Sequence, residues 1–260
     1  MTIIPLRSLF VFLVSISIAF STNAAVLFEG YYKVTQFKKH IGFLVLRHEI
    51  DDQTKNFKTT SYIKLGKGGF DMSESYQAVS TSDLAPLSIN YLAVGDKKTK
   101  TINVTIKNQK MVGTAVEDGK TIKINEKLPT GIFLSSALYY IMLKSKTGLK
   151  TDSKFDYAAI TEEGPVVMTG TVSVDKKMVT QGTQQLLKIN NRFAGSDYDN
   201  LVTPRGEVMS ANTPSTMIES ELVKTKEEAT TGVKVSSGTL EKIFGNIPAG
   251  TTNPLHAKGK

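Results

Sequence analysis

Cysteine is absent from the 260-residue chain, and there are only three histidines. The lack of cysteine excludes disulfides and every zinc or redox site built on thiolates. The chain also has no HExxH segment and no close pair of histidines, so the sequence predicts no metal site and no cofactor. A chain of this length can still build a hydrophobic core large enough to fold without such cross-links.

The three histidines do not indicate a catalytic site. His256 lies near the end of the chain, His40 lies at a predicted turn, and His48 shares a strand face with apolar neighbours. A Ser-His-Asp triad on an α/β-hydrolase scaffold needs a G-x-S-x-G elbow, which is missing. We therefore expect His48 to be a structural residue, no catalytic residue, and a protein that is not an enzyme.

Pairs of carboxylates are the remaining candidates for acid–base chemistry. The pairs are Asp51 and Asp52, Glu162 and Glu163, Asp197 and Asp199, and Glu219 and Glu221. All but the last pair fall at predicted turns, where solvated carboxylates are common. Hydrolysis of glycosidase type needs two carboxylates across a cleft, which sequence does not establish. A carboxylate-based hydrolase is therefore the less favoured alternative.

The first 24 residues have the pattern of a cleaved secretory signal. Arg7 is followed by a mostly apolar run over 9–20 and by small residues that include the cleavage triplet Thr22-Asn23-Ala24. The run is too short for a membrane span, and we expect none after cleavage. Because an exported chain without cysteine is more typical of bacteria, we expect a periplasmic or extracellular protein.

The formal net charge of the whole chain is +8 at pH 7. The lysines are spread over predicted turns and strand ends instead of forming one block. A basic protein is attracted to anionic surfaces, so an anionic surface is a possible partner. The chain lacks an array of alternating aromatic and basic residues, so we expect no nucleic acid partner.

Most of the remaining chain has the period-two pattern of β-strands. Ile102, Val104 and Ile106, for example, alternate with polar residues, as expected for a sheet with one solvated face. Short turns between successive strands favour antiparallel neighbours. The predicted strands are 26–36, 41–50, 57–65, 70–82, 87–94, 99–107, 110–116, 120–125, 154–161, 166–174, 184–191, 206–210 and 218–224.

One segment, 131–146, has a helical period instead. Leu134, Ala137, Leu138 and Ile141 recur on one helical face. Thr130 is the predicted N-cap, because its hydroxyl can accept a hydrogen bond from the first turn. The predicted domain is 25–225, with one central helix. Beyond it, 226–260 is rich in small and polar residues and is predicted to be a mobile tail, with a single helical turn at 239–244.

Several short motifs add a resemblance. They are FEGYYKV at 28–34, IGF at 41–43, DLAPL at 83–87, LPTG at 128–131 and TPRGEV at 203–208. Their order resembles that of a family of exported bacterial proteins of unknown function with a large curved antiparallel sheet around a central helix. That architecture is similar to the half-barrels of periplasmic lipoprotein carriers and receptors. The resemblance implies a non-enzymatic envelope protein with an apolar cavity, and it supplies no catalytic residues.

The expected fold class is mainly β, a strongly curved antiparallel sheet or open barrel with the helix on its concave face. The expected function is binding of an apolar or lipid-like ligand or of an envelope protein. The predicted ligand-binding residues lie on or beside the central helix: Phe133, Leu134, Leu138 and Ile141. A purely structural component of the envelope is the alternative.

Overall fold

The computed structural model describes residues 24–95 and 98–245. The predicted signal segment, 1–24, lies outside the described residues except for Ala24, which begins the first strand. Residues 246–260 of the predicted tail also lie outside them.

The first half of the chain forms eight strands, one for each strand predicted there. They are β1 (Ala24–Gln36), β2 (Lys39–Asp51), β3 (Phe57–Leu65), β4 (Met72–Ser80), β5 (Pro86–Gly95), β6 (Lys98–Lys107), β7 (Lys110–Glu117) and β8 (Lys120–Lys127). Each strand pairs with the next in antiparallel register. Alternation of apolar and polar residues together with short turns is sufficient to specify such a meander.

The second half adds eight further strands. They are β9 (Phe133–Leu134), β10 (Lys154–Ile160), β11 (Val167–Val174), β12 (Val179–Gln181), β13 (Gln184–Phe193), β14 (Ser196–Val202), β15 (Val208–Thr213) and β16 (Ile218–Val223). The sequence did not predict β9, β12 or β14. The fourth predicted strand of this half, 206–210, is shifted relative to β15 (Val208–Thr213).

All sixteen strands but one lie on a single path through one sheet. The order is β8-β7-β6-β5-β4-β3-β2-β1-β16-β15-β14-β13-β11-β10-β9, and β12 pairs with β13 beside this path. The two halves join where β1 pairs with β16, from Tyr31 opposite Val223 to Gln36 opposite Ile218. The sheet is curved and does not close into a barrel, which confirms the predicted mainly β fold class.

The central helix is shorter than predicted. Within 131–146, the chain first forms β9, then a 3-10 turn at Ser135–Ala137, and only then helix α1 (Leu138–Lys144). The prediction that Thr130 is the N-cap of this helix was therefore wrong, because α1 begins only after Ala137. Phe133 and Leu134 pair in parallel with Ala159 and Ile160, because the sheet edge satisfies their backbone groups and buries their side chains.

Helix α1 lies on the concave face of the sheet and contacts both halves. The Tyr140 ring lies 5.0 Å from the ring of Phe57 on β3 and 5.1 Å from that of His48 on β2. On the other side, the Asn200 amide on β14 donates a hydrogen bond of 2.6 Å to the Tyr139 hydroxyl. Strands that are separated by β1, β15 and β16 within the sheet thus meet the same helix, as expected for a curved sheet.

The chain continues past the predicted end of the domain at 225. It forms helices α2 (Lys226–Thr230) and α3 (Thr239–Phe244), so the predicted helical turn at 239–244 is confirmed and the boundary of the folded part needs correction. We call residues 226–245 the C-terminal strap. Its buried apolar residues contact the sheet face opposite to α1, in a cluster of Tyr31, Phe43, Val45, Tyr62, Val223, Ala229, Val233, Leu240 and Phe244.

Candidate binding groove

The four predicted ligand-binding residues lie in the hydrophobic core. Phe133, Leu134 and Leu138 are buried, and Ile141 is half-buried. Leu134 packs in the core cluster of the first half, whereas the other three pack among the strands of the second half. None of the four lines the largest of the described cavities, and their role in ligand binding stays a prediction.

A groove of about 550 Å³ lies elsewhere, on the concave side of strands β6, β7 and β8. Its far wall is the loop between β10 and β11, and Leu128 and Pro129 close one end. We call it the distal groove. Its apolar lining consists of Ile102, Met111, Ala115, Ile122, Ile124, Leu128, Pro129, Pro165, Val166 and Val167.

The register of the three strands explains why the groove is concave and apolar. Ile102, Ala115 and Ile122 lie opposite one another on β6, β7 and β8, so they share one face of the sheet. In the neighbouring row, Gly113 lies between Val104 and Ile124. Large side chains on the outer strands and small ones on β7 leave a depression along the middle strand.

Two apolar residues of the groove are unusually open to solvent. Ile122 is 57% exposed and Val166 is 55% exposed, although both are β-branched aliphatic residues that are normally buried. Burying such surface against a ligand is favourable by roughly 25 cal/mol per Å². The groove therefore presents apolar surface that a bound molecule would cover.

Charged groups surround this apolar surface. The groove is also lined by three lysines and two glutamates, namely Lys100, Lys123, Lys127, Glu117 and Glu126. Lys100 lies opposite Glu117 in the register of β6 and β7. An apolar depression with a few polar groups at its margin is typical of sites for amphipathic small molecules.

One of the predicted carboxylate pairs lies close to the groove, which Gly164 and Pro165 help to line. Glu162 is buried, and burial raises its pKa, although hydrogen bonds from Ser135 and Ser136 act in the opposite direction. The Glu162 carboxylate accepts from the Ser135 hydroxyl and, at 3.0 Å, from the Ser136 backbone N–H. This carboxylate thus holds the 3-10 turn that precedes α1, in the role that the sequence assigned to Thr130.

A third carboxylate, which the sequence analysis missed, approaches this pair from β4. Burial raises the pKa of Glu74, a hydrogen bond with Tyr91 lowers it, and the negative charge of Glu163 raises it further. Glu74 and Glu162 are therefore each within electrostatic reach of Glu163. Nothing in the spacing of Glu74 indicates this proximity, because it depends on the curvature of the sheet.

Two of the other predicted carboxylates, Asp51 and Glu219, have partners away from the groove. Asp51 accepts hydrogen bonds from the backbone N–H groups of Gln53 and Thr54 within its own turn. Glu219 pairs with Lys38 at 2.8 Å on the surface. Among residues 24–95 and 98–245, no group of three or more ligating side chains is arranged to hold a metal ion.

His48 is enclosed by aromatic rings. It stacks on Phe57 at 5.5 Å, and Phe28 and Tyr140 complete the enclosure at 6.2 and 5.1 Å. Its Nδ1 lies 3.0 Å from the Thr59 hydroxyl oxygen. Burial lowers the pKa of His48 to about 3, so the ring is neutral at physiological pH. The residue therefore acts as an aromatic spacer between the sheet and α1.

Comparisons with known proteins found one similar solved structure. No protein-family model and no curated protein matches the chain. Among solved structures it is similar to a DUF1089 family protein from Pseudomonas aeruginosa, with 14% identity and a TM-score of 0.39 over 69% of this chain and 92% of the other. A likeness at that level carries no argument about function. No helix of the described residues is long and apolar enough to cross a membrane.

Proposed function

We propose that this protein is an exported, non-catalytic component of the cell envelope that binds an apolar, lipid-like ligand in the distal groove. The observation that carries the proposal is the apolar groove of about 550 Å³. Its volume is within the range of about 300–1,000 Å³ that is common for small-molecule sites. The signal pattern at 1–24 supports export to the periplasm or the cell surface.

The lining of the groove suggests how such a ligand is held. An alkyl chain covers the exposed side chains of Ile122 and Val166 and lies along the small residues of β7. On the groove face, Lys100 and the acids Glu117 and Glu126 give the margin charges of both signs, so a polar head group can be held there. The ligand class is therefore an amphipathic molecule with a single apolar chain and a polar end.

The carboxylates near the groove support a non-catalytic role. Glu162 is the most deeply buried of them, and both of its oxygens accept hydrogen bonds that shape the start of α1. A general acid must instead be able to reach a substrate. The engagement of Glu162 in the fold thus favours binding over hydrolysis.

The first experiment is native mass spectrometry of the protein purified from its own cell envelope, before and after organic extraction. A bound lipid mass that disappears on extraction is the expected result. A protein that carries no lipid and binds no fluorescent long-chain fatty acid when it is added would contradict the proposal. That outcome would favour a structural component of the envelope.

A pair of matched variants locates the ligand. Ile122→Glu introduces a charge into the groove, and Val112→Glu introduces the same charge on the opposite face of the neighbouring strand β7, where Val112 is 46% exposed. We expect Ile122→Glu to weaken fatty acid binding about tenfold or more, because the lost apolar burial is worth at least ~1.4 kcal/mol. Equal binding by both variants would exclude the distal groove as the site.

A further inference from the structure

Strand β8 forms one end of the sheet, and no described strand pairs with its outer side. It is eight residues long, and seven of the eight are exposed. The strand at the other end of the sheet, β9, has only two residues. An edge as long as β8 presents a row of backbone N–H and C=O groups that a further strand can pair with.

The side chains of β8 divide into two chemically different faces. Ile122 and Ile124 point to the concave side, where they line the distal groove. Thr121, Lys123 and Asn125 alternate with them and point to the other side. A strand added at this edge would continue both faces, with every second side chain beside the isoleucines and the remaining side chains beside Lys123.

The charge of the edge selects its partner. β8 contains Lys120, Lys123 and Lys127 against the single acid Glu126. A second copy of β8 that pairs Ile122 with Ile124 would place Lys123 opposite Lys123, and like charges on neighbouring strands are destabilising. Lysines on an edge strand are indeed a known protection against self-association. A strand with acidic residues would instead be attracted, because its carboxylates would pair with the lysine amines of β8.

We propose that β8 is a docking edge for an extended segment of another protein, in which acidic residues alternate with apolar residues. The segment adds to the sheet as a further strand. Its apolar side chains lie beside Ile122 and Ile124 over the groove, and its carboxylates lie beside Lys123. This inference shares Ile122 with the proposed lipid site, but it rests on the unpaired edge of β8 and on its lysines, which are tested separately.

The probe is a fluorescent octapeptide of alternating glutamate and valine, with a peptide of alternating lysine and valine as its charge control. Fluorescence anisotropy measures binding to the purified protein. We expect only the acidic peptide to bind and its binding to weaken with added salt, because salt screens exposed charge pairs. Equal binding of the two peptides, or binding of neither, would overturn the proposal.

Protein variants then locate the site on the molecule. The double variant Lys123→Glu/Lys127→Glu reverses the charge of the edge, and Lys176→Glu/Lys177→Glu makes the same net change at two exposed residues away from β8. We expect the first to weaken peptide binding about tenfold or more and the second to leave it unchanged. The opposite ranking would place the peptide elsewhere.

Backbone pairing has its own readout. In a paired strand, alternate residues direct their N–H groups to the same side. Methylating the backbone nitrogens of all valines, or of all glutamates, should therefore abolish binding for one peptide and spare it for the other. Two methylated peptides that bind as well as the parent would refute strand addition. Fatty acid binding tests the proposed lipid site, and peptide binding tests the docking edge. Each proposal can therefore fail without deciding the other.

Discussion

The central strands β1 and β2 and the distal strands β6 to β8 belong to the same sheet, but their surroundings differ. The central strands are covered on both faces, by α1 on the concave side and by the C-terminal strap on the other side. β8 is exposed along almost its whole length. The same pattern of alternating residues therefore builds a closed centre and an open end, depending only on what packs against it.

The difference changes what charged residues do. In the centre, Arg47 is buried beneath the strap, and its guanidinium donates to Glu29 at 2.6 Å and to the Phe244 carbonyl at 2.8 Å. Glu49 is also buried and pairs with Lys58 at 2.5 Å. Among these charges, Arg47 joins the strap to the sheet through the Phe244 carbonyl and ring. At the distal end, the lysines of β8 are exposed and thus available to a ligand or partner.

The largest expected effect comes from breaking the central network. Arg47→Met removes the guanidinium that pairs with Glu29, and a buried ion pair that loses one member typically costs about 3–5 kcal/mol. We expect that loss in the free energy of unfolding, measured by urea denaturation. Lys123→Met is the distal control and should change stability by less than about 0.5 kcal/mol, because the residue is exposed.

A second variant distinguishes lost charge pairing from lost packing. Arg47→Met/Glu29→Gln also removes the negative charge of Glu29, while Glu49 keeps its partner Lys58, so the double variant should be more stable than Arg47→Met alone. If Arg47→Met lowers the free energy of unfolding by less than about 1 kcal/mol, the centre tolerates charge changes as well as the distal end does. The contrast between the two regions would then fail.

Acid should also act on the centre through His48. Its pKa is lowered by burial to about 3 from the usual 6.5, so the unfolded chain binds a proton between these values while the folded chain does not. Stability from this residue is fully present above pH 6.5 and is lost as the pH falls towards 3. At pH 4.5 the loss amounts to about 2–3 kcal/mol relative to pH 7.

The measurement is urea denaturation at both pH values for the natural protein and for His48→Phe, which keeps an aromatic ring but cannot be protonated. The residues that face His48 are Phe28, Phe57, Thr59 and Tyr140, none of which is charged near neutral pH. The variant should therefore lose about 2–3 kcal/mol less on acidification than the natural protein. Equal losses would mean that His48 does not sense the pH.

Period-two alternation was enough to predict the eight strands of the first half. It failed where one segment satisfied two patterns: Phe133 and Leu134 fit a helical face and also fit a short strand beside Ala159 and Ile160. Tertiary contact decided between them. Strand β14 was missed because Asp197 and Asp199 were assigned to a predicted turn, although the partner strand β13 holds them in the sheet.

The sequence predicted the chemical character of the candidate site but not the residues that form it. An apolar surface on the concave side was expected, but the groove combines β6, β7 and β8 with Pro165 and Val166, which are distant in sequence. Small residues on β7, Gly113 and Ala115, were the available signal. The C-terminal strap was missed because few apolar residues, such as Leu240 and Phe244, are enough to bury it on a face that already exists.

Two glycines provide the finest comparison between centre and distal end. A Cβ atom on Gly42 of β2 would lie 2.1 Å from the Lys64 carbonyl oxygen, and one on Gly113 of β7 would lie 2.0 Å from that of Asn103. Each substitution by alanine therefore forces the backbone of the next strand to move. Neither glycine has a left-handed conformation, so the contact alone decides the effect.

The movement is restricted around Gly42, which is buried in the middle of the sheet, and easier around Gly113 near the exposed edge. We expect Gly42→Ala to destabilise the protein by about 2 kcal/mol, within the usual cost of overpacking, and Gly113→Ala by less. Both variants lose the same conformational freedom in the unfolded chain, so this term cancels in the comparison. If thermal unfolding ranks Gly113→Ala as the less stable variant, the distal strands are the more rigid ones. The groove that they form would then be preformed and would not adapt its shape to the ligand.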